Sequence, residues 1–290
     1  MAAKRVVVTG GSGRIGAYVI RELMASWEVL NADIIPGTEN VQFLETDVMD
    51  LNAVRRATKG ADAIIHLAGL DLHRNADPDQ FVHVNTQGSW HVLQAAQENG
   101  VKKVVLSSSV AACGLSEMRP EWTPLYLPVD EEHECRPVHS YSVSKILIEQ
   151  MALSFVQGTD MSVICLRPLA VVMRENLDRY IASIDDPDRH WLFYYVTAED
   201  VARAFRAAIE VKDLRYGVFY LSSNDTSRRE PTLEWYADRI GALPEITNPQ
   251  FYETNPRASI FSSTKARDLL GWEPTSDFNE LRAQAKRNAD

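Results

Sequence analysis

The stretch VVVTGGSGRIGAYVI, residues 6–20, decides the fold. Three valines form a short β-rich run, a glycine turn follows, and an apolar, helix-like pattern begins at once. Gly10, Gly13 and Gly16 stand in a G-x-x-G-x-x-G spacing. Between a strand and a helix, the first glycine permits a tight turn and the second lets a pyrophosphate approach the backbone. The third lets the helix sit close to the sheet. The first amides of the helix and its dipole then hold the anion. Arg14 and Ile15 lie inside the turn and belong to the same candidate binding segment. A turn of this kind also occurs without a ligand, so the surrounding pattern has to decide.

That pattern is an alternation. Short apolar runs at 6–8, 28–32, 41–43, 63–67, 104–106 and 162–166 are separated by helical stretches at 15–25, 51–58, 80–99 and 141–156. RVVVTG, DAIIHLAG and KKVVLSSS are apolar throughout, as strands covered on both faces must be. The expected architecture is an α/β, Rossmann-type doubly wound parallel sheet with a small C-terminal substrate lobe. Residues 1–168, with 190–222 returning to them, make the dinucleotide-binding core; 169–189 and 223–290 make the lobe. Two regions break the rhythm. Residues 114–139 carry Pro120, Pro124, Pro128 and Pro137 and read as a long surface loop, a common form for a lid. After residue 224 only PTLEWYADRIGALP and STKARDLLGW look helical.

Composition narrows the partners. The 290 residues include 30 basic and 40 acidic side chains, a net charge of −10, which argues against nucleic acid or an anionic membrane as partner. No apolar stretch approaches the ~18 residues of a membrane span. Cys113, Cys135 and Cys165 are widely spaced and odd in number, so neither a disulfide framework nor a metal site is expected. A reducing cytoplasm is the simplest compartment. The N-terminus has no signal-peptide pattern.

Asp33 ends the second apolar run, 23 residues after Gly10. A carboxylate there accepts both hydroxyls of an adenosine ribose and repels a 2′-phosphate. Arg14 is the one basic group in the turn that could meet such a phosphate, but the ionised acid decides for NAD over NADP. Asp47, in LETDVMD, either bonds the adenine amino group, with Val48 against the ring, or caps the helix that follows.

YSVSK places Tyr141 and Lys145 four apart at a helix start, hence adjacent on one face. A phenol with a pKa near 10 is a poor base at neutral pH. An ammonium and a positively charged nicotinamide beside it favour the phenolate, and a drop of about three units is worth roughly 4 kcal/mol. Such a tyrosine accepts the proton of an alcohol while hydride leaves its carbon. Ser109, at the carboxyl edge of a strand, can hydrogen-bond the same oxygen.

Together these motifs resemble the extended short-chain dehydrogenase/reductase family of NAD-dependent epimerases, dehydratases and dehydrogenases. The resemblance is carried by TGGSGRIG (9–16), DV (47–48), HLAG (66–69), VNTQG (84–88), LSSS (106–109), YSVSK (141–145), LRP (166–168) and YVTAEDVARA (195–204). It implies that Ser109, Tyr141 and Lys145 are catalytic, with Lys145 also bonding the nicotinamide ribose. It implies further that Leu67, Ala68, Gly69 and Ser107 line the cofactor cleft and that Asn85 braces the site. Pro168 and Leu169 would present backbone to the nicotinamide amide. A homodimer through the helices at 80–99 and 141–156 is implied as well.

Four departures from the family pattern stand out. The segment between Ser109 and Tyr141 is about seven residues longer than usual, suggesting an inserted lid near 116–124. Cys113 replaces a common tyrosine, and Ala170 replaces the asparagine that helps epimerases hold a nucleotide diphosphate. The chain after Leu221 leaves little material to clasp a nucleotide sugar. The flavour nearest this chain is the uronate dehydrogenases, in which a downstream arginine binds the substrate carboxylate. RENLDRY offers Arg179 for that role and Arg174 as its competitor, unless both are solvated surface groups. The leading expectation is an NAD-dependent dehydrogenase taking hydride from a secondary alcohol or hemiacetal of a small sugar-like substrate, with Tyr141 as base. The alternatives are a sugar or nucleotide-sugar epimerase using the same residues, and a non-catalytic NAD-binding protein. Side chains near 71–73 are expected to help choose the substrate. His73, His139 and His190 are expected at loops or the surface.

Overall fold

The computed structural model describes residues 4–72, 76–117, 119, 121–186 and 192–289. His73, His190, Met118 and Pro120, which the sequence reading placed in loops or in the insert, lie outside the described residues. Seven parallel strands form one sheet: β1 (Arg5–Thr9), β2 (Glu28–Asp33), β3 (Gln42–Glu45), β4 (Ala63–His66), β5 (Lys103–Ser107), β6 (Ser162–Pro168) and β7 (Tyr216–Leu221). Their spatial order is 3-2-1-4-5-6-7. Chain direction across the sheet reverses beside β1, which pairs with β2 on one side and β4 on the other. In register, Thr9 lies opposite Ala32 and His66, so the carboxyl ends of these strands share one edge. That edge, at the switch point of an open α/β sheet, is where ligands bind.

The central stretches of β1, β4, β5 and β6 are buried and mostly apolar because helices cover both faces of the sheet there. Val7, Ile64, Val104 and Val163 face α2 (Leu51–Thr58), α3 (Pro78–Glu98) and α4 (Ser140–Gly158). Val6, Val8, Ile65, Val105 and Ile164 face α1 (Gly16–Leu23) and α6 (Ala198–Glu210). Alternate side chains of one strand therefore enter two different cores. Between β6 and α6 lies α5 (Leu177–Ile184); beyond β7 come α7 (Thr232–Arg239), α8 (Pro249–Thr254), α9 (Thr264–Leu270) and α10 (Phe278–Ala289). α7 and α9 fall where the sequence looked helical; β7, α8 and α10 were not read from it.

Two expectations change here. Asp47 does not cap α2. The chain first makes a turn, with Asp50 N–H donating to the Asp47 carbonyl (3.0 Å), so the cap falls to Asp50, whose carboxylate accepts from Asn52 N–H at 2.9 Å. The proline-bearing segment 114–139 is not an exposed lid among its described residues. Trp122, Leu127 and Val129 are buried. Tyr126–Leu127 pairs in parallel with Glu245–Ile246, and Val129 N–H donates to the Ile260 carbonyl at 2.7 Å. Trp122 Nε1 donates to the Cys113 carbonyl at 3.2 Å, and the Arg136 guanidinium stacks 4.4 Å from its ring centre. Apolar side chains between the prolines hold this segment against C-terminal residues more than a hundred positions away.

Candidate active site

The glycine turn follows β1 directly. Gly10 has φ +74°, and a Cβ there would lie 2.4 Å from Ala68 N, so this glycine lets the ends of β1 and β4 approach. At Gly16 a Cβ would fall 2.5 Å from the Gly10 and Gly11 carbonyl oxygens, which seats α1 against the turn. Gly13 is different: its Cβ would meet only the Gly10 carbonyl oxygen, at 3.1 Å. Apart from that oxygen, which also accepts Gly13 N–H at 3.1 Å, no described atom outside the adjacent residues lies within 4 Å of a Cβ there. Arg14 reaches across the cleft mouth to Asp71, Nη2 to Oδ2 at 2.5 Å, with both side chains about half exposed.

Asp33 ends β2 beside the turn. Its Oδ2 accepts Ser12 N–H (2.9 Å) and its Oδ1 accepts Ile34 N–H (2.7 Å). Each carboxylate oxygen keeps capacity for one more donor. Asp47 Oδ1 accepts Met49 N–H at 2.8 Å, and the buried Val48 packs against Gly88. Leu67, Ala68 and Gly69 follow β4. Asn85, buried on α3, accepts Leu70 N–H (2.7 Å) and donates to the Leu70 carbonyl (3.1 Å) and Ser144 Oγ (3.0 Å). It ties the loop after β4 to α4. His66 is buried between Thr9 Oγ1 (2.7 Å) and Ser89 Oγ (3.0 Å). Burial, helped by the Lys145 charge, lowers its pKa to about 3, so its imidazole is neutral.

Ser109, Tyr141 and Lys145 come together. Ser109 ends the β5 run, where its Oγ accepts Ala111 N–H at 3.1 Å and lies on the side of the Tyr141 phenol. Tyr141 opens α4, whose N-cap is the exposed His139, Nδ1 accepting Tyr141 N–H at 3.2 Å. Phe81 meets the Tyr141 ring edge-on at 6.0 Å. Lys145 Nζ donates to the Ser107 carbonyl at 2.8 Å and lies 5.5 Å from the centre of the tyrosine ring. The lowered phenol expected from the sequence is not produced by the protein's own side chains. Burial first, then the Asp71 carboxylate, push Tyr141 up to about 12 against the Ser109 hydroxyl and Arg14. Lys145 sits over the ring face, while its own burial brings it down to about 8.

These groups open into a cavity of about 250 Å³. Arg14, Ile15 and Asp71 bound it on the turn side, Ser107, Ser108, Ser109 and Tyr141 at the chemical edge, and Pro168 and Leu169 at the end of β6. Ala170, Met173, Ser116 and Tyr194 also line it. The sequence reading did not single out Met173 or Tyr194. Tyr194 is buried, its ring meeting Phe261 edge-on at 5.2 Å and its carbonyl accepting the Tyr180 hydroxyl at 3.1 Å. FYY in front of VTAED, an apolar run abutting a family motif, was the available signal.

The family model described as "NAD dependent epimerase/dehydratase family" matches residues 6–184. The chain belongs to that family. Its members are NAD-dependent enzymes of the extended short-chain dehydrogenase/reductase type, and NAD is the cofactor that this cleft fits. The space at Gly13, the spare acceptor capacity of Asp33 and the engagement of Arg14 by Asp71 rather than at the ribose side all suit an unphosphorylated dinucleotide. An NAD-dependent glucose-6-phosphate dehydrogenase of Haloferax volcanii is 28% identical, the match covering 87% of this chain and 97% of the relative. Among solved structures, a short-chain dehydrogenase/reductase superfamily protein from Agrobacterium tumefaciens with bound NAD superposes with a TM-score of 0.74 at 21% identity, covering 98% of each chain. The uronate dehydrogenase from Agrobacterium tumefaciens superposes with a TM-score of 0.67 at 19% identity, over 99% of this chain and 90% of that one. At such identities these two likenesses concern the fold.

Within this family fold, the two arginines proposed for a substrate carboxylate are misplaced for it. Arg174 is 85% exposed at its side chain and pairs with Glu199 at 3.2 Å. Arg179 is exposed on α5, because Leu177, Tyr180 and Ile184 take the buried face of that helix. Neither lines the cavity.

Proposed function

We propose that the protein is an NAD-dependent dehydrogenase that oxidises a secondary alcohol or hemiacetal of a small sugar-like molecule. One observation carries this reading: Ser109 and Tyr141 line a cavity of about 250 Å³, with Lys145 5.5 Å from the centre of the tyrosine ring. Residues of the cofactor turn and of the chemical edge line the same cavity, so the nicotinamide end of NAD and a small substrate would share it. Bound NAD supplies the hydride acceptor. Ser109 Oγ holds the substrate oxygen, and Tyr141 takes the hydroxyl proton as the alcohol becomes a carbonyl. Lys145, held by the Ser107 carbonyl 5.5 Å from the ring centre, would favour the phenolate together with the positive nicotinamide of bound NAD. The turn at 10–16 and Asp33 hold the dinucleotide, with Leu67, Ala68, Gly69, Pro168 and Leu169 along the cleft. Residues 169–189 and 223–290 serve as the substrate-binding lobe.

An epimerase is the second reading, favoured by the family to which the chain belongs and using the same three residues. Screening neutral aldoses, uronates and sugar phosphates with NAD separates the two. Steady NADH formation at 340 nm that Tyr141→Phe abolishes supports the dehydrogenase. Turnover of a sugar into its epimer without added NAD replaces that reading with the second. The proposal includes a homodimer through α3 and α4, where Trp90 and Leu147 are exposed, and a reducing cytoplasmic setting suited to three free cysteines. Sedimentation at a monomer mass would remove the dimer.

A further inference from the structure

We propose that the buried Glu149–Arg167 pair is the positioning device of the active site, an inference that rests on the dehydrogenase reading for the roles of Ser109 and Lys145. Arg167 grips both carboxylate oxygens, Nε to Oε1 at 2.8 Å and Nη2 to Oε2 at 2.7 Å. The side chains are 4% and 2% exposed. Neither lines the cavity, so neither touches substrate or cofactor from within it. Each is instead bonded to, or next in sequence to, a residue that does: Glu149 to Ser108, and Arg167 to Pro168. Glu149 lies one turn beyond Lys145 on the same face of α4. Its Oε1 also accepts Ser108 Oγ–H at 2.6 Å, and Ser108 immediately precedes Ser109. Arg167 immediately precedes Pro168 at the end of β6. Beyond Glu149, the guanidinium donates to the Tyr220 hydroxyl on β7 (3.0 Å) and to Cys135 Sγ (3.5 Å).

A single carboxylate–guanidinium pair therefore fixes the end of β5, the Lys145 turn of α4 and the end of β6 relative to one another. Stability alone does not account for it, because an apolar pair of similar volume in a core is often as stabilising as a buried ion pair. Bidentate geometry does account for it: two parallel bonds set orientation as well as distance. The pair also contributes charge. Lys145 faces Tyr141 and Glu149 from its own helix, Asp71 from the loop after β4, His66 from β4 and Cys165 from β6. Of these, Asp71 and Glu149 are the carboxylates holding it protonated against burial.

The test uses the full chain and needs no substrate. Ser108→Ala removes one bond to Glu149 at a residue that itself lines the cavity and leaves the ion pair intact; Glu149→Gln, outside the cavity, removes the charge. NADH affinity is read by fluorescence titration. Lys145 is titrated by ¹³C NMR of labelled lysine, its signal assigned with Lys145→Met. Ser108→Ala is expected to melt within about 2 °C of wild type yet bind NADH about tenfold more weakly. Glu149→Gln is expected to lower the Lys145 midpoint by about one unit. Unchanged NADH affinity in Ser108→Ala, or an unchanged Lys145 midpoint in Glu149→Gln, overturns the inference. If Glu149→Gln does not fold, Glu149→Asp, which keeps the charge and shortens the arm outside the cavity, takes its place, and unchanged NADH affinity there overturns the inference. A Tyr141→Phe variant that keeps turning over substrate would instead sink the dehydrogenase reading and leave these two measurements standing.

Discussion

Replacing Gly10 with alanine should destabilise the fold, whereas replacing Gly13 with alanine should spare the fold and weaken the cofactor. At Gly10 the backbone has φ +74°, a left-handed conformation that costs an L-residue about 1–2 kcal/mol. The new methyl would also sit 2.4 Å from Ala68 N and 2.8 Å from Leu67 C, both backbone atoms at the end of β4. Forced shifts of that kind in a packed region cost about 1–3 kcal/mol. The two effects together amount to roughly 2–5 kcal/mol, a fall in Tm of about 5–15 °C for a chain of this size. At Gly13 the close neighbour among the described residues is the Gly10 carbonyl oxygen at 3.1 Å, which a methyl would have to displace by a few tenths of an ångström. Stability there should change by no more than about 0.5 kcal/mol. The methyl would instead occupy the space through which a phosphate reaches the backbone. Thermal melts with and without NAD read both effects. NAD at a hundred times its Kd stabilises by about 2.7 kcal/mol, a rise of about 5–10 °C in wild type. Gly13→Ala should melt normally and lose most of that rise. A Gly10→Ala protein as stable as wild type, or a Gly13→Ala protein with the full NAD shift, would refute the reading of this turn.

Three further outcomes are expected. Trp122→Ala should lower stability by about 3–5 kcal/mol, because the indole is buried and bonded to the Cys113 carbonyl; an unchanged melt would mean the insert is detachable after all. His66, held at about 3 against an ordinary value near 6.5, binds its proton more readily unfolded than folded. Its contribution is complete above pH 6.5 and is lost as pH falls toward 3, roughly 5 kcal/mol over that window. His66→Gln should flatten this part of the acid-denaturation curve, and an identical curve would contradict a neutral, buried imidazole. The Arg14–Asp71 pair is about half exposed and should contribute no more than about 1 kcal/mol. Arg14→Ala should therefore melt within about 2 °C of wild type while raising the KM for NAD; a large loss of stability would show that the pair is structural.

The core of the fold was legible because its physical demands are local. A strand covered on both faces must be apolar at every position, so β1, β4 and β5 announce themselves. A turn joining two packed elements must use glycine where a side chain would strike backbone, as at Gly10 and Gly16. β7 lies at the sheet edge, and its Tyr216 and Val218 are only partly buried, which blurs the apolar run that marks a central strand. The two arginines, which the sequence left open between pocket and surface, lie on the surface for a different reason. Leu177, Tyr180 and Ile184 recur at helical spacing and fix the inward face of α5, so the outward direction of Arg179 was available from the residues beside it. Spacing to a motif carries no such information about direction.

What remained hidden depends on pairings across long stretches of chain. Prolines at 124 and 128 mark a loop in any local reading, yet the strand that holds Tyr126–Leu127 comes at Glu245–Ile246, and nothing in either segment names the other. Arg167 is the intermediate case. An arginine inside SVICLRP, a run apolar enough for a strand covered on both faces, cannot be left unpaired in the interior, because an isolated buried charge costs several kcal/mol. The sequence thus required an acidic partner without saying where. Glu149 satisfies it from α4, one turn beyond Lys145, on the face toward β5 where Ser108 waits. The requirement was electrostatic and local; the answer was topological. That division also bears on substrate choice. The catalytic edge comes from residues whose chemistry is fixed by motif, while the lining from Ala170, Met173, Ser116 and Tyr194 is assembled from separate segments whose meeting only the fold determines.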